Sequence, residues 1–103
     1  MDKKKDSERV LAAVEMAKKA HEGQLRKTGE PYIVHPLAVK KILEEWGMDE
    51  DTIIAGVLHD TVEDTSVTLD DIRNQFGESV AFLVDGVTKL STARAGMRDI
   101  DTY

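Results

Sequence analysis

The chain has 103 residues, of which 41% are hydrophobic and 33% are charged, so the sequence predicts one folded domain rather than a disordered chain. Its formal net charge of −6 disfavours nucleic acid binding through phosphates, and the absence of cysteine excludes disulfides and thiolate metal ligands. No apolar run reaches the roughly 20 residues that cross a membrane, and the charged start MDKKKDSERV lacks a secretory signal, which predicts a cytoplasmic protein.

The first half of the chain predicts two amphipathic helices separated by a loop. Apolar residues recur at helical spacing over residues 8–22, and Ser7 is a typical start signal for a helix. The next segment, residues 23–36, carries two glycines and two prolines and is predicted to be an ordered loop. Pro36 suits the first turn of a helix, and the apolar residues after it predict a second helix that ends at Gly47.

The second half of the chain predicts three more helices. Asp49 can cap a helix over residues 52–63, whose apolar run IIAGVL is typical of the central helix of a small bundle. The sequence TLDD matches the capping pattern of a short helix that ends near Gly77. A last helix is predicted to about Leu90, and residues 91–103, which show no apolar stripe, are predicted to be a flexible tail or a cut-off connection. The predicted fold class is therefore all-α.

The polar end of the predicted central helix is the strongest functional signal. The sequence VLHDTVED, residues 57–64, places His59, Asp60, Glu63 and Asp64 directly after the apolar run. Residues three and four apart share a face of a helix, so these four groups form one polar end. Carboxylates this close repel one another, and a divalent metal ion is the simplest compensation. Solvated acids are the alternative, although acids at the carboxyl end of a helix oppose its dipole.

A metal site without sulfur needs a second imidazole beside His59, and two histidines are available. His35 lies at the start of the second helix, where a histidine in isolation is more often a cap or a surface residue. His21 lies on the apolar stripe of the first helix, which is typical of a hydrogen-bonded core residue. His35 is therefore the preferred candidate ligand.

Arg26 and Lys27, in the long loop, are the candidate substrate-binding residues. A guanidinium group stacks on a base or binds two phosphate oxygens, and a lysine adds a point charge. A solvated surface pair is the alternative, because lysine and arginine are common on protein surfaces.

Three segments of the chain together resemble one known family. They are HEGQLRKTGEPYIVHPLAV (21–39), GVLHDTVEDT (56–65) and FGESVAFLVDGVTKL (76–90). In this order they resemble the amino-terminal hydrolase domain of the RelA/SpoT family, which belongs to the His-Asp (HD) metal-dependent phosphohydrolases. The resemblance implies an all-α HD-domain bundle that removes the 3′-pyrophosphate from guanosine tetra- and pentaphosphate in the bacterial stringent response. Manganese is the usual ion of the family.

The resemblance also implies roles for the candidate residues. The residues that match the family's metal ligands are His35, His59 and Asp60. Glu63 and Asp64 match the acidic pair that positions and activates the attacking water. Arg26 and Lys27 match the basic loop that contacts guanine and phosphate.

The end of the chain departs from the family pattern. The family completes its metal site with an aspartate on a later helix, and Asp85, Asp99 and Asp101 do not occur in that context. Residues 1–103 are therefore predicted to be the front portion of one hydrolase domain whose carboxy-terminal helices are missing, and the exposed core predicts a homo-oligomer. Two alternatives stay open, namely an inactive nucleotide-binding or interaction module and an HD phosphohydrolase acting on another nucleotide.

Overall fold

The computed structural model describes residues 7–26 and 28–101, with side chains described up to Lys89. Within these ranges the chain forms α-helices and no strand, which confirms the predicted all-α fold class. The helices are α1 (Glu8–Ala20), α2 (Val34–Glu45), α3 (Glu50–Asp64), α4 (Leu69–Phe76) and α5 (Glu78–Asp101). Among the described helices, none combines the length and the apolar character that crossing a membrane requires.

Side-chain caps begin several of these helices, as the sequence predicted. The Ser7 hydroxyl accepts a hydrogen bond from the backbone N–H of Val10 at the start of α1. Thr68 and Asp71 form a reciprocal capping box at the start of α4, with bonds of 3.0 and 3.1 Å. Each cap satisfies backbone donors that have no partner inside the helix, so the sequence itself determines where these helices begin.

The helix α3 lies at the centre of the bundle and packs against α1, α2 and α5. The side chains of Ile54, Val57 and Leu58 on α3 are fully buried. Because neighbours cover this helix on several sides, its apolar residues are not confined to one stripe. The predicted central helix is thus confirmed.

Gly56 on α3 permits the close approach of α2. A Cβ atom placed at Gly56 would collide with the side chain of Leu43 and would lie 3.2 Å from Cγ1 of Val39. At this point α2, which carries His35, packs closely against α3, which carries His59.

The helix α5 is longer than the sequence predicted, because it continues past Leu90 to Asp101. The sequence predicted a flexible tail or a cut-off connection here; the structure gives residues 91–101 as helix, while residues 102–103 lie outside the described residues. The extension contains alanine, arginine and methionine, which favour helices, and it contains no proline. Backbone propensity therefore continues the helix without the apolar stripe on which the prediction relied.

Candidate metal centre

The three predicted metal ligands converge where the start of α2 faces the last turns of α3. One candidate ligand atom from each of His35, His59 and Asp60 lies within 4.8 Å of the other two. Nε2 of His35 lies 3.1 Å from Oδ2 of Asp60, and Nε2 of His59 lies 3.1 Å from Oδ1 of Asp60. Each oxygen of one carboxylate thus faces one imidazole nitrogen.

The second ring nitrogen of His59 is fixed by the backbone. Nδ1 lies 2.8 Å from the carbonyl oxygen of Gly56, and because a carbonyl only accepts hydrogen bonds, Nδ1 carries the hydrogen. In the neutral ring the lone pair then lies on Nε2, which is the atom that faces Asp60. Two groups with lone pairs meet here, so the arrangement requires either a proton or a metal cation between them.

The electrostatics of the pair reflect this requirement. The hydrogen bond with Asp60 raises the pKa of His59 against the opposing effect of burial, and the same bond lowers the pKa of Asp60. The His59 and Asp60 side chains are only 19% and 17% exposed, whereas that of His35 is 34% exposed. Two imidazoles and one carboxylate in a half-buried cluster fit a divalent metal ion.

Tyr32 joins this cluster from the loop between α1 and α2. Its hydroxyl oxygen lies 3.3 Å from Oδ2 of Asp60 and 3.1 Å from Oδ2 of Asp64. Its ring stacks on His21, with centroids 4.6 Å apart, and meets the edge of the His35 ring. Burial and the charge of Asp60 raise the pKa of Tyr32, so its hydroxyl keeps the hydrogen that it donates. Sequence analysis did not identify Tyr32 as a site residue. The one feature of the sequence that could have indicated it is its position three residues before His35.

The stacked partner His21 is a buried core residue with both ring nitrogens bonded. It is 2% exposed, and its Nδ1 and Nε2 lie 3.0 Å from Oε1 of Gln24 and 3.3 Å from Oγ1 of Thr61. Gln24 in turn donates a side-chain hydrogen bond of 3.1 Å to the backbone carbonyl of Asp64. The prediction of a hydrogen-bonded core histidine is confirmed, and His21 ties the loop to the end of α3.

Of the other predicted site residues, Glu63 and Asp64 interact with groups of the cluster. Asp64 is exposed but bonded to Tyr32, and the charge of the exposed Glu63 contributes to the raised pKa of His59. Arg26 is exposed in a turn that its backbone N–H helps to close by donating to the Glu30 carbonyl at 2.8 Å. Lys27 lies outside the described residues.

Comparison with known proteins shows the family to which this chain belongs. The family model described as HD domain matches residues 13–101. A guanosine-3′,5′-bis(diphosphate) 3′-pyrophosphohydrolase of Aquifex aeolicus is 50% identical over 97 residues, which is 94% of this chain and 14% of that protein. The bifunctional (p)ppGpp synthase/hydrolase SpoT of Escherichia coli K12 is 52% identical over 82 residues, which is 80% of this chain and 12% of that protein.

Further relatives agree with this family. A GTP pyrophosphokinase of Streptomyces coelicolor is 57% identical over 87 residues, which is 84% of this chain and 10% of that protein. The chain therefore spans 10 to 14% of the length of these relatives. A solved structure, described as a metazoan ortholog of SpoT that hydrolyzes ppGpp, matches with a TM-score of 0.76 and 33% identity over 82% of this chain and 49% of that chain. With this fold and these relatives, the predicted resemblance is confirmed, and the chain belongs to the HD domain family, among homologues of the RelA/SpoT type.

Proposed function

We propose that this domain hydrolyses the 3′-pyrophosphate of guanosine 3′,5′-bis(diphosphate) as part of a RelA/SpoT-type protein. The observation that carries the proposal is the convergence of His35, His59 and Asp60 to within 4.8 Å. The relatives that match most of this chain support the substrate, because two of them are named as hydrolases of that nucleotide.

The metal in this proposal is manganese, with His35, His59 and Asp60 as its ligands. Three protein ligands are the number found in many catalytic metal sites, and mixed nitrogen and oxygen donors suit a divalent ion. A divalent ion bound there would polarise a phosphoryl oxygen and lower the pKa of water.

The roles of proton acceptor and substrate anchor fall to four other residues. Glu63 and Asp64 are exposed carboxylates on the last turn of α3, beside His59 and Asp60, and either can accept a proton from water. Arg26 is exposed, which leaves its guanidinium group accessible to a guanine face or a phosphate. Lys27 follows it in the chain and adds a second positive charge.

The test is manganese-dependent release of pyrophosphate from guanosine tetraphosphate by the full chain. The variants His59→Ala and Asp60→Asn should lose activity, because each removes one of three proposed ligands. Asp85→Asn is the matched control, since Asp85 pairs with Lys89 on α5 at 3.2 Å and should be dispensable. Undiminished release by Asp60→Asn would contradict the proposal.

The same assay separates the two alternatives. Binding of guanosine tetraphosphate without release of pyrophosphate, in the presence of manganese, would indicate a nucleotide-binding module. Faster turnover of an adenosine substrate, unaffected by Arg26→Ala, would indicate an HD phosphohydrolase for another nucleotide.

Self-association also stays a prediction. Large apolar side chains are exposed on α5 and just after α2, where Phe82 and Trp46 are 75% and 68% exposed. Surfaces of this kind favour association with a second copy of the chain. Light scattering that shows a monomer at all concentrations would contradict it.

A further inference from the structure

We propose that Tyr32 is a positioning residue that couples the metal centre to Asp64, an inference that rests on the proposed hydrolase function. The phenol hydroxyl carries one hydrogen and has two carboxylates within reach, Asp60 at 3.3 Å and Asp64 at 3.1 Å. The Asp60 oxygen concerned, Oδ2, also faces Nε2 of His35. Tyr32 therefore contacts both a proposed metal ligand and a proposed proton acceptor through one atom.

The two carboxylates differ in how much else restrains them. Asp60 is half-buried between His35 and His59, which face its two oxygens. Asp64 is exposed on the last turn of α3, and the hydrogen bond from Tyr32 is a restraint on its carboxylate. A carboxylate that rotates freely is a poorer proton acceptor than one held in place, so this bond favours a productive orientation.

The ring of Tyr32 is itself held rigidly enough for this role. It stacks on the buried His21 ring with an interplanar angle of 18°. The backbone N–H of Tyr32 donates to the Gln24 carbonyl at 2.9 Å, and the Gln24 side chain bonds to the backbone of Asp64. His21 is also hydrogen-bonded to Thr61, the residue that follows Asp60. The loop and the last turn of α3 are thus one connected unit.

The proposal distinguishes the hydroxyl from the ring, so conservative variants can test it. Tyr32→Phe removes the hydroxyl and keeps the ring that stacks on His21. Tyr32→Leu removes both, and it should lower the melting temperature as well as function. Circular dichroism and thermal melting should show that Tyr32→Phe folds like the unmodified chain.

The first readout is manganese affinity, measured by titration calorimetry without substrate. Tyr32→Phe should bind Mn²⁺ about tenfold more weakly, because loss of a hydrogen bond to a ligating carboxylate usually costs 10- to 100-fold. Equal affinity in Tyr32→Phe and the unmodified chain would overturn the inference, whatever the turnover. Absence of Mn²⁺ binding by the unmodified chain would instead overturn the proposed function, and this inference with it.

The second readout is the hydrolysis of guanosine tetraphosphate at saturating manganese. Tyr32→Phe should lower kcat about tenfold or more with little change in KM, since the hydroxyl acts on the acids rather than on substrate binding. In an Asp64→Ala background the same substitution should have little further effect. An unchanged kcat, or an equal loss in both backgrounds, would overturn the link to Asp64.

Discussion

The helix α3 carries acidic residues at both ends, and the two ends use them differently. The amino end has Asp49, Glu50 and Asp51, where the helix dipole stabilises negative charge. The carboxyl end has a second set of acids where the dipole disfavours them, namely Asp60, Glu63 and Asp64. The same residue type is therefore favourable for folding at one end and unfavourable at the other.

At the amino end, two of the acids pair with an arginine of the fold itself. Arg9 on α1 lies 3.2 Å from Glu50 and 2.9 Å from Asp51, and it donates to the Phe76 carbonyl at 2.6 Å. The hydrogen bond with Asp51 is the main reason that the pKa of Arg9 is raised. This cluster joins α1, α3 and the end of α4.

At the carboxyl end, the partners are imidazole nitrogens and a phenol hydroxyl. His35 and His59 face Asp60, while Tyr32 reaches both Asp60 and Asp64. These partners are neutral unless protonated, so they leave the negative charge available to a cation. We therefore propose that acids at the amino end stabilise the fold, whereas those at the carboxyl end serve the proposed metal ion.

Asp60→Asn should give the largest difference between the two ends. Manganese affinity should fall more than about 100-fold, since the ligand itself is removed rather than a supporting group. The metal-free stability should fall by only about 1 kcal/mol, because asparagine still accepts a hydrogen bond, although it loses the charge that His59 stabilises. Calorimetry and urea unfolding measure the two quantities.

Asp51→Asn is the counterpart of that variant at the amino end. It should leave manganese affinity unchanged and lower stability, because Arg9 loses a charged partner and α3 loses a favourable charge. If Asp51→Asn weakened manganese binding as strongly as Asp60→Asn, the proposed division between the two ends would be wrong.

Arg9→Ala should destabilise the fold without affecting the metal centre. The free energy of unfolding should fall by about 1 to 2 kcal/mol, after allowance for the solvent screening of a half-exposed side chain. Arg9→Lys should recover part of the loss, since it keeps the charge but not the planar guanidinium group. Urea unfolding followed by circular dichroism measures the change, and a loss of manganese binding equal to that of Asp60→Asn would contradict this assignment.

Gly56→Ala tests whether close helix packing shapes the metal centre. The added methyl group would press on Leu43 and Val39, so α2 should shift and carry His35 away from His59. Manganese affinity should fall about tenfold, while the helix propensity of alanine, about 1 kcal/mol better than that of glycine, offsets part of the cost in stability.

Gly86→Ala is the matched control for that substitution, because a Cβ at Gly86 meets nothing within 4 Å. It should stabilise α5 by up to about 1 kcal/mol and leave manganese binding unchanged. If both alanine variants bound manganese like the unmodified chain, the spacing between α2 and α3 would not control the centre.

The local part of this site could be predicted from the sequence. Helical spacing alone places His59 and Asp60 at the same end of α3 as Glu63 and Asp64. The caps could be predicted for the same reason, because each depends on residues only a few positions apart. The pairing of His35 with this end rested on the need for a second imidazole and on the family resemblance.

Two other long-range features of the site, the contacts of Tyr32 and the packing at Gly56, could not be predicted. Tyr32 reaches Asp60 and Asp64 through the path of an irregular loop, which hydrophobic periodicity does not describe. In the sequence Gly56 is one small residue within an apolar run. Only the structure shows that the absence of a side chain there permits the close approach of α2. Such contacts depend on how elements pack, which local propensity does not determine.

The smallest expected effect concerns Asp49, which caps α3 at the amino end and is exposed. Its side chain accepts a hydrogen bond from the Thr52 N–H at 3.3 Å, and the bond with Thr52 lowers the pKa of Asp49 below its ordinary value of 3.8. Because the folded pKa is the lower one, the stabilisation is fully present above the unfolded value and is lost as the pH falls through the folded value. The melting temperatures of the unmodified chain and Asp49→Ala should therefore differ slightly at pH 7 and converge in acid. A gap that widened as the pH fell would show that Asp49 stabilises α3 through its neutral form, and the amino-end acids would then not act as charges.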